Sequence, residues 1–394
     1  MLNQNLLLGS DGYLIQRSLR FRASASAYLS RTQGTPTNAI KWTVSFWIKL
    51  GALDTGQKYL FTVTNSGTDD SYVQIANNKL IIGSYQGAGT DYGIVTTSVY
   101  RDPSAWYHVV AVLDTANATP SSRAIIYVNG VIQTVTNPSN GIFPQNYTGM
   151  KFNAASQAIR VGGISGSQYD GLMAEVNFID GQALTPSSFG ETDVITGVWK
   201  PKKYAGTYGT NGFYLNFSDN SSTTTLGYDK SGNSNNWTCN NISLTAGVTY
   251  DSMLDVPTLT SESAANYAVA NPLANGAGTL SNANLNLLGA SSAWGSRCST
   301  IGIDSGKWYF EVTPLSGSAS QGIQFGISSS AIPPTSLASS GAWSYYGFDG
   351  KFYANGAAGA TYGATIADND VVGVAFDRDN GTLTFYKNGT SQGT

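Results

Sequence analysis

The sequence predicts an all-β protein, two antiparallel β-sandwich (jelly-roll) domains joined by a polar linker. Three observations carry this. Short stretches of period-two alternation follow one another closely, with almost no 3.6-residue pattern. Asn-Gly stands between alternating apolar positions at Asn129-Gly130 and again at Asn388-Gly389, and both residues tolerate the positive φ of a two-residue hairpin. One construction also occurs twice: an aromatic-led strand, an apolar run ending in Asp, and a hairpin reading Tyr-x-Asn-Gly. The first copy runs from Trp106 to Asp114 and from Ala124 to Gly130; the second uses Lys307 to Val312, Val372 to Asp377 and Thr382 to Gly389.

Taken in order, residues 1–17 are an N-terminal segment and the first domain spans 18–217. Ser18 to Phe21 and Ala27 to Ser30 read as strands around a short turn. Trp42 to Leu50 alternates, with Trp42, Val44 and Phe46 on one face. Further strands are expected at Lys58 to Val63, Tyr72 to Ile75, Lys79 to Tyr85, Tyr107 to Leu113, Ala124 to Val128, Val131 to Val135 and Ala158 to Gly162. Gly171 to Ile179 and Gly212 to Phe217 close the domain, and Thr185 to Phe189 is expected as one helical turn. Residues 218–283 are polar and poor in periodicity. They are too long for an ordinary loop, so they either pack across both domains or form a linker. The second domain, 284–394, is expected to hold strands at Thr300 to Ile303, Trp308 to Thr313, Ile323 to Ser328, Trp343 to Phe348, Lys351 to Ala354, Val371 to Phe376 and Thr382 to Tyr386.

Composition narrows the function. Charged residues are 11% of the chain, against about 25% in ordinary soluble proteins, so Asn, Ser, Thr and Gly must build the surface. A net charge of -3 offers no attraction to phosphate backbones or anionic lipids, which argues against nucleic-acid and membrane-surface partners. The sequence has no apolar run long enough to insert in a membrane as a helix, and Met1 to Leu8 lacks the basic start of a secretory signal. Cys239 and Cys298 read as two buried thiols rather than a bridge.

Residues 18–217 resemble the laminin-G-like, or concanavalin-A-like, jelly-roll family. The resemblance rests on Trp106-Tyr107-His108-Val109-Val110, Asp114, Tyr127-Val128-Asn129-Gly130, Glu175-Val176-Asn177-Phe178 and Gln182-Ala183-Leu184. The second domain is similar to SPRY domains through Gly306 to Val312, Gly322 to Ile327, Tyr346 to Gly350, Asp370 to Asp377 and Gly381 to Gly389. It ends at Thr394 before the strands with which that family continues, as if another segment or chain completed it or the sequence were a fragment. The whole arrangement is similar to bacteriophage tail-fibre or receptor-binding proteins in Ser18 to Phe21, Ala27 to Arg31, Gly212 to Asp219, Asp229 to Asn233 and Asn236 to Thr238. This resemblance implies a virion protein, assembled in the host cytoplasm, whose partners are host surface glycan and other virion proteins. It also implies a homo-oligomer, with a trimer the form considered. Head decoration or tail-assembly adaptation through protein contacts is the alternative, and a glycan depolymerase the second.

No catalytic constellation is readable. Glycoside hydrolysis needs two facing carboxyl groups, one kept protonated, and the four glutamates Glu175, Glu191, Glu262 and Glu311 form no such array. His108 is the only histidine, so zinc or Ser-His-Asp chemistry lacks its parts. The one cofactor to weigh is calcium, with Asp69 and Asp70 as candidate ligands in a turn. A neutral sugar site wants an aromatic platform flanked by amides and hydroxyls. The candidates are Tyr85, Tyr92 and Tyr169 in the first domain and Trp343, Tyr345 and Tyr346, with Trp294, in the second.

Overall fold

The computed structural model describes residues 12–51, 53, 55–65, 69–87, 91–137, 140–261, 263–274, 276, 278–289, 294, 296–317, 322–329, 340–357 and 359–394. The chain divides into two compact units, Met1–Tyr267 with Ser281–Asn286, and Ala268–Leu280 with Leu287–Thr394. Both are built of antiparallel strands, and among the described residues the one α-helix is α1 (Thr223–Leu226).

Strands are numbered along the chain. In the first unit, sheet one runs in space β10 (Val131–Ile132), β9 (Ala124–Val128), β8 (Trp106–Asp114), β3 (Lys41–Leu50), β13 (Gly171–Asp180), β1 (Ser18–Phe21), β18 (Ser252–Met253), and β16 (Phe213–Leu215) also pairs with β13. Sheet two runs β11 (Val135–Thr136), β7 (Asp91–Thr96), β6 (Lys79–Gln86), β5 (Asp69–Ala76), β4 (Lys58–Asn65), β12 (Ala158–Val161), β2 (Tyr28–Thr32), β17 (Thr238–Asn240). Alternation on β3 sends Trp42, Val44, Phe46, Ile48 and Leu50 into one core with Leu29, Phe61, Val73, Ile82 and Ile94 of sheet two. Each such side chain contributes about 1.5–3 kcal/mol by leaving water.

The outer face of sheet one is covered by the unit's own chain. Trp47, Trp106, Leu172 and Ala174 pack against Ile15, Val256, Ala264 and Ala283, while Val110, Val112 and Ile179 pack against Phe189. This explains why β13 is buried along its whole length. The short hairpin of β14 (Gly190–Thr192) and β15 (Trp199–Pro201) brings Trp199 onto the same face.

The segment expected as a linker is built into the first unit as far as Tyr267. Few apolar residues are needed to fasten it: Leu226, Trp237 and Ile242 enter the main core, and Asp251, fully buried, accepts from Arg20 Nε at 3.0 Å and Arg22 Nε at 2.8 Å. Two other expectations are corrected. Val131 to Val135 is not one strand, because β10 pairs in sheet one and β11 in sheet two. Thr300 to Ile303 forms no strand. The expected helical turn is a single 3-10 turn at Pro186–Ser188, and Cys239 and Cys298, both half-buried, form no disulfide.

β19 (Thr279–Ser281) pairs with β20 (Asn286–Leu288). In the second unit a three-stranded sheet, β22 (Gln324–Ser328), β23 (Ala342–Tyr346), β24 (Lys351–Ala354), and a four-stranded sheet, β21 (Lys307–Val312), β25 (Val372–Asp377), β26 (Thr382–Lys387), β27 (Thr390–Gly393), share a core of Phe325, Tyr345, Ile366, Val372, Val374 and Phe385. Among the described residues β21 is an edge strand, exposed along its length. Its register places Trp308, Phe310 and Val312 beside Phe376, Val374 and Val372, yet Trp308 remains 47% and Phe310 41% exposed.

Candidate functional site

The face of sheet two turned away from the main core is itself largely buried. Alternation puts Asp70, Tyr72, Gln74 and Ala76 of β5 on that face, opposite Val73 and Ile75, which enter the core. Register then adds Tyr59 and Thr62 from β4, Ile81, Gly83 and Tyr85 from β6, and Asp91, Gly93 and Val95 from β7. Gly83 and Gly93 are directly paired, so the floor is low where two strands meet. A Cβ on Gly83 would meet the Tyr72 ring at 2.3 Å, which means the ring lies across the strand and requires glycine there.

The result is a groove of about 250 Å³, lined among others by Gln57, Tyr72, Gln74, Asn77, Asp91 and Gly93. Tyr72 donates to Asp91 Oδ1 at 3.1 Å, and its ring lies 5.8 Å from that of Tyr59. Three buried oxygens on this face, Thr62 Oγ1, Asp70 Oδ1 and Gln74 Oε1, have no hydrogen-bond partner among the described residues. Gln74 is only 3% exposed. A buried acceptor left unpaired costs about 1–3 kcal/mol, and all three oxygens are shut off from solvent. Burial pushes the Asp91 carboxyl up from its ordinary value, and burial followed by the charge of Asp69 does the same to Asp70.

Residues 23–188 match the family model of the concanavalin A-like lectin/glucanases superfamily. Residues 307–394 match the SPRY domain model. No curated protein matches the chain. Among solved structures, a heptameric SAP-like pentraxin from Limulus polyphemus is similar at 19% identity over 44% of this chain and 80% of its own, with a TM-score of 0.31. A putative carbohydrate binding protein from Bacteroides ovatus shows 19% identity over 58% of this chain and 59% of its own, with a TM-score of 0.37. Domain 4 of an extracellular arabinanase from Geobacillus stearothermophilus, in complex with arabinotriose, shows 15% identity over 44% and 95%, with a TM-score of 0.29.

Of the residues singled out from sequence, Tyr85 stands on the groove face, paired in register with Asp70 on one side and Asp91 on the other. Tyr92 is on β7 rather than in a loop and is among the residues that line the groove, while its ring packs edge-on against Tyr147, 5.3 Å away, at the margin of the main core. Tyr169 is fully buried and donates to Lys49 O at 2.8 Å and Leu172 O at 3.0 Å, so it cannot serve as a platform. Tyr345 is likewise a core residue, with its hydroxyl on Ala364 O. Trp343 and Tyr346 stay accessible on the second unit, and Tyr346 is edge-on to the exposed Trp294 at 5.7 Å. Asp69 and Asp70 do not converge on one point: they are successive residues of β5, and neighbouring strand residues point to opposite faces. Among the described residues, no group of three or more His, Cys, Asp or Glu side chains is placed to hold a metal ion.

The groups with proton chemistry lie elsewhere and are tied. His108 Nδ1 accepts from Trp199 Nε1 at 2.9 Å, so the ring proton is on Nε2, which donates to Ser45 Oγ at 2.8 Å. Stacking between Trp47 and Trp199, at 4.9 and 5.9 Å, completes its enclosure. Glu175 sits at a bulge in β13 with φ 53° and receives the hydroxyls of Tyr13 and Tyr214, each at 2.8 Å. Glu262 lies outside the described residues. Sequence reading missed Gln74, Tyr72 and the glycine pair; the alternation of Tyr72 and Gln74 against Val73 and Ile75 was the available signal.

Proposed function

We propose that this protein is a non-enzymatic bacteriophage virion component of the tail-fibre or receptor-binding kind, adhering to host surface glycan through the groove on sheet two. The observation that carries this is the sheet-two groove itself, where the Tyr72 ring stands beside Gln74, whose Oε1 has no hydrogen-bond partner among the described residues. A sugar hydroxyl supplies the missing donor, and the ring supplies apolar surface for sugar CH groups. The one charged residue in the groove lining is Asp91, so a neutral or amino sugar fits and a uronic or sialic acid is repelled. The virion role is supported by the phage-like wording along the chain. Weak single sites suit such a role, since a trimer presenting three copies gains about 100- to 10,000-fold through effective concentration.

Calorimetric titration with neutral, amino and acidic oligosaccharides tests the reading. Binding of neutral or amino sugars, weakened about 10-fold by Gln74→Ala through loss of one hydrogen bond, is the expected result. Failure of all three classes to bind would reject glycan adhesion, while preference for acidic sugars would reject only the charge argument. One observation favours the architectural alternative, in which protein contacts alone matter: the exposed apolar edge strand β21 offers both backbone and side chains to another strand.

A further inference from the structure

Lys49 projects from the outer face of β3 into the apolar layer that covers sheet one, and its side chain is only 2% exposed. Its Nζ lies 2.7 Å from Asp255 Oδ2, 2.7 Å from Asn266 Oδ1 and 2.5 Å from Tyr267 O. Asp255, with its side chain 5% exposed, is held by Trp106 Nε1 on Oδ1 at 2.9 Å, which leaves Oδ2 facing the amine. Asn266 Nδ2 donates to Ser104 O at 2.8 Å, and this turns the amide so that its carbonyl faces Lys49. Trp47, Trp106, Leu172 and Val256 form the surrounding layer. A buried amine and a buried carboxyl group are therefore brought to hydrogen-bond distance of each other, with the carboxamide of the exposed Asn266 on the amine from the rim of the layer.

We propose that Lys49 and Asn266 join spontaneously in an intramolecular isopeptide bond, with Asp255 carrying the protons. Burial disfavours both charges, lowering the Lys49 amine and raising the Asp255 carboxyl, so the two values approach each other. A proton passes from Nζ to Asp255 Oδ2, and the neutral amine turns its lone pair to Asn266 Cγ. The Nζ–Cγ bond forms as the carbonyl opens to a tetrahedral centre. Nζ releases a second proton, Nδ2 takes one through Asp255, the Cγ–Nδ2 bond breaks and ammonia leaves. The other proton stays on Asp255 or departs as ammonium. No oxidant or co-reactant enters, and the carboxyl group ends as it began or protonated. The link closes 217 residues of chain and rivets the covering segment to sheet one.

The test is the intact mass of the folded wild-type chain under denaturing conditions, followed by protease digestion. The expected major species is lighter than the sequence by one ammonia and yields a branched peptide joining the Lys49 and Asn266 fragments. Asn266→Ala, and Asp255→Asn where it folds, are expected at full mass with no branched peptide. A folded wild-type chain at full mass, giving only linear Lys49 and Asn266 fragments, would show an ordinary ion pair and overturn the proposal. Ammonia loss without the branched peptide would overturn it as well.

Discussion

Two buried side chains set opposite pH responses. Burial lowers His108 from 6.5 to about 3, because protonation would strand a charge between two indoles and turn Nδ1–H toward the Trp199 donor. Burial raises Glu175 from 4.5 to about 7 despite the hydroxyls of Tyr214 and Tyr13, which favour its charged form. The folded His108 value lies below the unfolded one, so its contribution is present above pH 6.5 and lost as pH falls. The folded Glu175 value lies above the unfolded one, so its contribution is full below pH 4.5 and lost as pH rises toward 7. Between pH 4.5 and 6.5 the two slopes, each about 1.4 kcal/mol per pH unit, oppose each other. Relative to wild type, His108→Gln should gain about 2–3 kcal/mol on going from pH 6.5 to 4.5, and Glu175→Gln should lose a similar amount. Urea melts at three pH values check this, and parallel shifts in both variants would contradict it. His108 was legible as a hydrogen-bonded strand residue; Glu175 was not, because a bulge leaves no mark in an otherwise continuous apolar strand.

Among the elements, those governed locally were the most legible. At both Asn-Gly turns the two residues take positive φ, 48° and 80° at Asn129-Gly130 and 50° and 79° at Asn388-Gly389, as the hairpin requires. β7 was missed because Gly93 interrupts its alternation, and its place is fixed by pairing with β6. What no window reveals is the junction at the end of β13. There Asp180, buried, accepts from the backbone N–H of Thr37 at 2.6 Å, Asn38 at 3.1 Å and Asn211 at 3.0 Å, and from Asn153 Nδ2 at 2.5 Å. One carboxylate thus closes three loops that are distant in sequence. Asp180→Ala leaves these donors without their acceptor and should cost about 3 kcal/mol or more, with Asp180→Asn recovering part of it. Denaturant midpoints measure the loss; a change under about 0.5 kcal/mol would mean that water replaces the carboxylate at no cost.

At the scale of the molecule, the division into two units differs from the one that composition suggests. Residues after Phe217 look like a linker because polar residues dominate and their core anchors, Leu226, Trp237 and Ile242, are too irregularly spaced to show a period. Polarity along the chain measured how few anchors the segment needs, not whether it is anchored. Among the described residues, the main core of the first unit, with its flanking clusters, is far larger than the six-residue core of the second. The second unit, with β21 exposed, should therefore unfold at the lower temperature. Scanning calorimetry of the whole chain should show two transitions, and Asp180→Ala, which acts only in the first unit, identifies the upper one. A sugar bound in the sheet-two groove stabilises only the unit that contains it, by about 2.7 kcal/mol at one hundred times its dissociation constant. It should raise the upper transition and leave the lower one in place. A ligand that moves only the lower transition would transfer adhesion to the aromatic residues of the second unit, the exposed Trp294 and Trp343 and the half-buried Tyr346, and remove it from the groove.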